Sequence, residues 1–203
     1  MKNYNYLCEM ETYARANDVP IIERDGLDIV TAQLQKNNVK TVFEVGTAIG
    51  YSASQFHVIA GCDVTSIERD TNMYEQAVAN VAKLELEEHV KLIHDDALLF
   101  DDSSLGMFDC LYIDGAKSQY LKFLEKYISH LKPGGVVIFD NLLFHGYVFS
   151  ESVQEKSRNL KQLVRKLETF INTMKNSEQY HFELIEEGDG IGILYRKGEY
   201  NEQ

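Results

Sequence analysis

Two apolar runs in this sequence end on oxygen-bearing side chains. Asp114 closes FDCLYID, with Lys117 three residues further on, and Asp140-Asn141 closes GVVIFDN. If these runs are neighbouring strands, Asp114, Asp140 and Asn141 converge. Hard oxygen donors with no His or Cys among them favour Mg²⁺, with Mn²⁺ or Ca²⁺ as further options, over zinc. Three protein ligands leave positions for water and two substrate oxygens. A hydroxyl chelated there is acidified by the cation's charge, and Lys117 can take its proton or steady the oxyanion. Taken alone, Asp140-Asn141 is a turn cap and Lys117 a surface lysine.

A second set lies earlier. The run KTVFEV leads into Glu44-Val45-Gly46-Thr47-Ala48-Ile49-Gly50-Tyr51-Ser52. A glycine-bearing turn from strand to helix lets a ligand approach the backbone, and the helix start offers free N–H groups. The dinucleotide fingerprint needs a glycine in the middle, where Ala48 stands. Glu44 would repel phosphates and welcome an ammonium group. Glu68 ends the next strand, 22 positions after Gly46, where a carboxylate can accept ribose hydroxyls. Asp96, beside Asp95 after a third strand, is placed to accept the adenine amino group. Each acid alone reads as a solvated strand end. Together they trace the edge along which open α/β sheets bind ligands. A ligand with an adenosine end and an amino-acid end, S-adenosylmethionine, fits better than NAD.

The elements that position these residues read as an α/β fold. Strands are expected at Lys40–Val45, Asp63–Glu68, Val90–His94, Phe108–Asp114 and Gly135–Asp140. Helices are expected near Ser52–Ala60, Asn72–Leu84 and Gln119–Leu131. The alternation is that of βαβ units on a mainly parallel sheet. Lys132-Pro133-Gly134-Gly135 reads as a helix stop and a turn before a strand. Phe182–Glu186 and Ile191–Arg196 flank Glu187-Gly188-Asp189-Gly190 as a closing hairpin. With 203 residues and only two prolines, the chain reads as one domain without a linker. Cys8, Cys62 and Cys110 are odd in number and form no CxxC pair, which suits a reducing, cytoplasmic setting. No run approaches the ~18 apolar residues of a membrane span, and no membrane partner is expected.

EVGTAIGYS, SIERD, the DDAL segment, YIDGAKSQY and IFDNLLFHG together resemble the cation-dependent O-methyltransferases of catechol and caffeoyl-CoA type. The resemblance covers nearly the whole chain. It implies a Rossmann-like class I methyltransferase fold, a seven-stranded mainly parallel sheet with an antiparallel last strand and helices on both faces. It also implies cofactor contacts at Ser52, Glu68 and Asp96, metal at Asp114, Asp140 and Asn141, and catalytic roles for Lys117 and Asp114. Asp95, where relatives usually carry glycine, lies beside the adenine. With Glu44 and Gly46 from the turn, these complete the expected cofactor set. Relatives are usually homodimers, so a homodimer is expected.

The leader Tyr13-Ala14-Arg15 … Val19-Pro20-Ile21-Ile22-Glu23 is similar to that of bacterial tRNA 5-hydroxyuridine methyltransferases. The resemblance implies a helical segment, residues 1–38, over the cofactor site, with Ile22 at its methionine end. A helical insertion at residues 146–176 is basic. Within it, Val153–Lys175 carries six basic and two acidic residues, net +4 in a chain of net −12, which leaves −16 on the rest. Arg158, Lys161, Arg165 and Lys166 are the candidate phosphate contacts. Leu160, Leu163, Val164, Leu167 and Phe170 would face the core on the other side of the same helix. The expected reaction is methylation of 5-hydroxyuridine in tRNA to 5-methoxyuridine. The main alternative is a small catechol-like phenol or acyl-CoA phenol. A nucleotide-dependent oxidoreductase and a non-catalytic adenosine-binding protein account for fewer of these residues.

Overall fold

Strands form where β-branched and aromatic residues run together, and helices form between them. A computed structural model describes residues 2–199. Its strands are β1 Thr41–Val45, β2 Asp63–Glu68, β3 Val90–His94, β4 Phe108–Ile113, β5 Leu131–Phe139, β6 Tyr180–Ile185 and β7 Ile191–Arg196. The α-helices are α1 Lys2–Ala16, α2 Arg24–Lys36, α3 Tyr51–Ala60, α4 Thr71–Lys83, α5 Tyr120–Tyr127 and α6 Arg158–Lys175. The strands form one sheet in the order β3-β2-β1-β4-β5-β7-β6. β1 to β5 pair in parallel, and β7 runs antiparallel to both β5 and β6. This is the expected seven-stranded Rossmann-like sheet with its antiparallel last strand.

The central strands are buried on both faces, which is why they read as unbroken apolar runs. Val42, Cys110, Tyr112, Val136 and Ile138 pack with residues of α1 to α4. Phe43, Leu111, Ile113, Val137 and Phe139 turn the other way, toward α5 and α6. Asp70 caps α4 by accepting from the Met73 N–H at 3.0 Å, and Ser157 caps α6 by accepting from the Leu160 N–H at 3.3 Å. Val164, Leu167, Phe170, Ile171 and Met174 are the buried stripe of α6. Leu160 and Leu163 are half-buried at its margin. Among the described residues no helix is long and apolar enough to cross a membrane.

Three boundaries differ from expectation. Lys132-Pro133-Gly134-Gly135 is part of β5, which begins at Leu131. The pairing slips between Phe108 and Cys110, and this bulge absorbs a proline that cannot donate to the ladder. α5 ends at Tyr127 and tightens into a 3₁₀ turn, Ile128–His130. The basic insertion is helical only from Arg158. Before it, Asn141, Phe144, His145 and Phe149 all adopt positive φ, and Glu151–Glu155 is a 3₁₀ turn.

Candidate active site

The sheet delivers its acids to one edge. Gly46 has φ +98°, and a Cβ there would lie 2.6 Å from the Asp114 carbonyl oxygen, so only glycine lets β1 and β4 end side by side. Ala48, in the place of the fingerprint's middle glycine, adopts φ +46° and donates its N–H to Glu68 Oε2 at 2.9 Å. Glu68 Oε1 accepts the N–H groups of Arg69 at 3.0 Å and Asp70 at 2.9 Å. The turn's N–H is therefore spent on a carboxylate, where a dinucleotide's pyrophosphate would need it free. Asp96 Oδ1 accepts from the Leu98 N–H at 2.8 Å, and Asp95 Oδ1 accepts from the Asp96 N–H at 2.7 Å.

Two cavities open along this edge. One, of about 550 Å³, is lined by Gly46, Glu68, Asp95, Asp96 and Asp114 among others. The other, of about 800 Å³, lies between the α1–α2 connection and the residues Phe144, His145 and Asp189. Pro20, Ile21, Lys117 and Asn141 line both, so the cavities meet at Lys117. Ile22 lines the larger one and is otherwise buried. Glu11 lies in that cavity too, accepting from the Tyr51 hydroxyl at 2.5 Å and from Arg24 at 2.8 Å. Burial opposes its ionisation, yet these donors hold its carboxyl below the ordinary range.

At the junction, Lys117 Nζ donates to Asn141 Oδ1 at 3.0 Å and lies 3.8 Å from Asp114 Oδ1. Asp140 is fully buried. Its Oδ2 accepts from the Tyr112 hydroxyl at 2.8 Å and its Oδ1 from the Asn141 N–H at 2.7 Å. The Tyr120 hydroxyl donates to the Asp140 carbonyl at 2.8 Å. Burial, and next the charge of Asp140, push the Asp114 carboxyl well above the ordinary range; burial also raises Asp140. Two such carboxyls gain from a cation between them. The donors are all oxygen, so the set fits a hard divalent ion. The smaller cavity fits a nucleoside-bearing ligand. Its wall includes Gln119, whose Oε1 is buried with no hydrogen-bond partner among the described residues, an acceptor suited to an amine.

Some expected residues lie elsewhere. Glu44 lines neither cavity. It is fully buried below the turn, accepting from the Ser52 hydroxyl at 2.5 Å and from the Ser66 hydroxyl. Burial pushes its carboxyl up to about 7. The sequence reading has Glu44 facing an ammonium group; in the fold its oxygens each accept from a hydroxyl, and it reaches neither cavity. Ser52 is likewise turned inward, toward Glu44. Arg158, Lys161 and Arg165 border a shallow surface concavity of about 470 Å³, of which Lys166 is not part. Three participants escaped the sequence reading. Tyr112 and Tyr120 are apolar-run residues until the fold aims their hydroxyls at Asp140. Asp189 reads as a turn residue, yet its Oδ2 accepts from Asn141 Nδ2 at 3.4 Å and its Oδ1 from the His145 N–H at 2.6 Å.

The O-methyltransferase family model matches residues 6–197. The chain is 27% identical to a caffeoyl-CoA O-methyltransferase of Populus kitakamiensis, over 88% of this chain and 77% of that protein. It is 26% identical to a flavonoid 3',5'-methyltransferase of Vitis vinifera, over 93% and 82%. Among solved structures, a candidate caffeoyl-CoA O-methyltransferase of Staphylococcus aureus shares 36% identity, with TM-score 0.87 and coverage of 94% and 91%. An O-methyltransferase of Bacillus cereus in complex with SAH shares the fold at 19% identity, with TM-score 0.78 and coverage of 95% and 91%. Fold and site together define a Rossmann-like, S-adenosylmethionine-dependent methyltransferase. Within that class, the chain belongs to the cation-dependent O-methyltransferase family.

Proposed function

We propose that this enzyme methylates the 5-hydroxyl of 5-hydroxyuridine in tRNA. The observation that carries the reading is the basic face of α6. Arg158, Lys161 and Arg165 gather around one concavity on an otherwise acidic chain, and α6 packs against the Lys117–Gln119 turn of the active site. A phosphate backbone held there would bring a base to the larger cavity. An anticodon loop offers unstacked bases, so presenting one costs less than flipping it from a duplex. The base carries a 5-hydroxyl beside its 4-carbonyl, an oxygen pair like that of a catechol. The α1–α2 connection, part of the residue 1–38 segment, supplies Pro20 and Ile21 to both cavities and Ile22 to the larger one alone. We further propose that the working form is a cytoplasmic homodimer.

Asp114, Asp140 and Asn141 would hold the divalent ion, most simply Mg²⁺, with Mn²⁺ or Ca²⁺ able to replace it. When bound, the ion supplies positive charge that lowers the pKa of the substrate hydroxyl. S-adenosylmethionine, when bound, supplies the electrophilic methyl group. Asp140 lines neither cavity; Tyr112 and the Asn141 N–H fix its carboxylate beside Asn141, from where it would have to reach the ion. Lys117 Nζ, between Asn141 and Asp114, is positioned to receive the hydroxyl proton or to steady the oxyanion. Glu68 and Asp96 present acceptors to the ribose and the adenine, and Asp95 braces Asp96. Glu44 and Ser52 act from beneath by shaping the turn.

A second reading, a small catechol-like phenol or an acyl-CoA phenol, is favoured by relatives named for caffeoyl-CoA and flavonoids. Mass spectrometry of tRNA nucleosides from a strain lacking the gene decides between them. The tRNA reading expects 5-hydroxyuridine to accumulate and its methyl ether to vanish. An unchanged nucleoside profile would leave the phenol reading.

A further inference from the structure

At the opposite edge of the sheet, three donor groups from three elements converge. His57 lies in the last turn of α3, Asp63 opens β2, and His89 immediately precedes β3. One donor atom from each lies within 4.8 Å of the other two. The imidazoles of His57 and His89 stack, with centroids 4.0 Å apart and planes 21° from parallel. His57 Nδ1 is 3.0 Å from the Cys62 carbonyl oxygen, and His89 Nδ1 is 2.9 Å from Asp63 Oδ1. Sheet pairing fixes the cluster's base. The Val64 N–H donates to the His89 carbonyl at 2.8 Å, and the Asp63 N–H to the Lys40 carbonyl at 2.8 Å.

We propose that His57, Asp63 and His89 form a second metal site, selective for a zinc-class divalent ion. The inference is independent of the substrate reading. Two imidazole nitrogens with one carboxylate oxygen are a donor set for Zn²⁺, or for Ni²⁺ and Cu²⁺, whereas the Asp114 site offers oxygen alone. With Nδ1–H of His57 donating to the Cys62 carbonyl, its Nε2 keeps a free lone pair, the arrangement in which a backbone acceptor orients a metal-binding histidine. The 2.9 Å spacing of His89 Nδ1 and Asp63 Oδ1 is close to that of two atoms bound to one ion at ~2.1 Å. Asp63 and His89 are exposed and His57 is half-buried, so the two rings have room to swing out of their stack, as their in-plane lone pairs must to meet at one ion, while solvent fills the open position. Cys62 stays outside the set. It is fully buried, its Sγ donates to the Val39 carbonyl at 3.4 Å, and burial pushes the thiol up to about 11. The site lies about 16 Å from Glu68, five strand residues away along β2. Its ion would tie the end of α3 to the starts of β2 and β3, a structural role remote from methyl transfer.

The test is Zn²⁺ titration of the full chain by calorimetry, with Mg²⁺ in excess to occupy oxygen-only sites. The expected result is one Zn²⁺ equivalent that survives Asp140→Ala. In His57→Ala/His89→Ala it weakens at least tenfold. His89→Gln, a change at an exposed position, should weaken it too while circular dichroism shows the fold intact. A double variant that binds Zn²⁺ like the parent overturns the proposal, as does loss of the equivalent in Asp140→Ala. A readout on the unmodified chain stands apart from any variant. In histidine-ring NMR, substoichiometric Zn²⁺ should shift His57 and His89 before His94, His130, His145 and His181. Prior shifts at the other four would also overturn the proposal.

Discussion

Tyr112 and Glu44 show how far a side chain's work depends on what the fold puts beside it. The Tyr112 hydroxyl is buried and donates to Asp140 Oδ2 at 2.8 Å. A partner that orients a metal-binding carboxylate is worth about 10–100-fold in metal affinity. Tyr112→Phe should therefore raise the Mg²⁺ concentration for half-maximal methyl transfer by about that factor, with excess Mg²⁺ restoring turnover. An unchanged Mg²⁺ dependence would remove Asp140 from the metal set. Glu44 makes a prediction about pH. Its carboxyl titrates at about 7 in the fold against 4.5 ordinarily, so the folded state binds the extra proton between these values. Stability from this group is full below pH 4.5 and declines as pH rises through about 7. The loss approaches about 3 kcal/mol at 1.36 kcal/mol per pKa unit. Glu44→Gln cannot ionise. Its stability relative to the parent, from urea unfolding of the ligand-free protein, should improve between pH 5 and pH 8 by up to that amount. A constant difference across that range would mean that Glu44 titrates normally.

At the level of elements, α6 would separate folding from the proposed recognition, because its apolar and basic faces lie apart. Leu167 is fully buried against the sheet, so Leu167→Ala leaves a cavity and should cost about 2–5 kcal/mol in urea unfolding. A cost below about 1 kcal/mol would mean that the helix is loosely docked. The apolar stripe of α6 was legible in the sequence, since Val164, Leu167 and Phe170 recur at helical spacing and all are buried. The acid-bearing strand ends were legible for a related reason. Strands buried on both faces are unbroken apolar runs, so Glu68, Asp114 and Asp140 stand out where the runs stop. What escaped was set by contacts between distant segments. Nothing in Glu187-Gly188-Asp189-Gly190 tells that this turn grips the chain after Asp140. There the Leu142 N–H meets the Gly190 carbonyl at 2.8 Å and the Leu143 N–H meets the Asp189 carbonyl at 2.9 Å. The burial of Glu44 was not legible because strand alternation does not say to which side of a turn a strand-end side chain points. The hydroxyls that claim it come from Ser52 and from Ser66 on β2.

Charge is distributed over the molecule so that the substrate question can be put to it directly. The stretch Val153–Lys175 carries +4 while the remaining 180 residues carry −16. An RNA would be repelled by most of this surface and attracted to α6. The basic side chains there are exposed or half-buried, and none supports the core stripe. Reversing Arg158 and Arg165 to Glu should therefore leave the thermal unfolding midpoint close to the parent's. If the two arginines hold phosphates, each lost contact should flatten the dependence of log affinity on log salt by about one unit. Methylation of tRNA at moderate salt should then fall steeply. A small catechol reaches only the junction at Lys117 and Asn141, so its methylation should stay near the parent's rate. This contrast matters because the two readings share every residue of the chemistry. Changes at Asp140 or Lys117 would abolish both activities and separate nothing. Equal loss on tRNA and catechol would show that the reversal had damaged the active site. A parental rate on tRNA across a range of salt would show that α6 presents a solvated face, and the substrate assignment would pass to the small phenols.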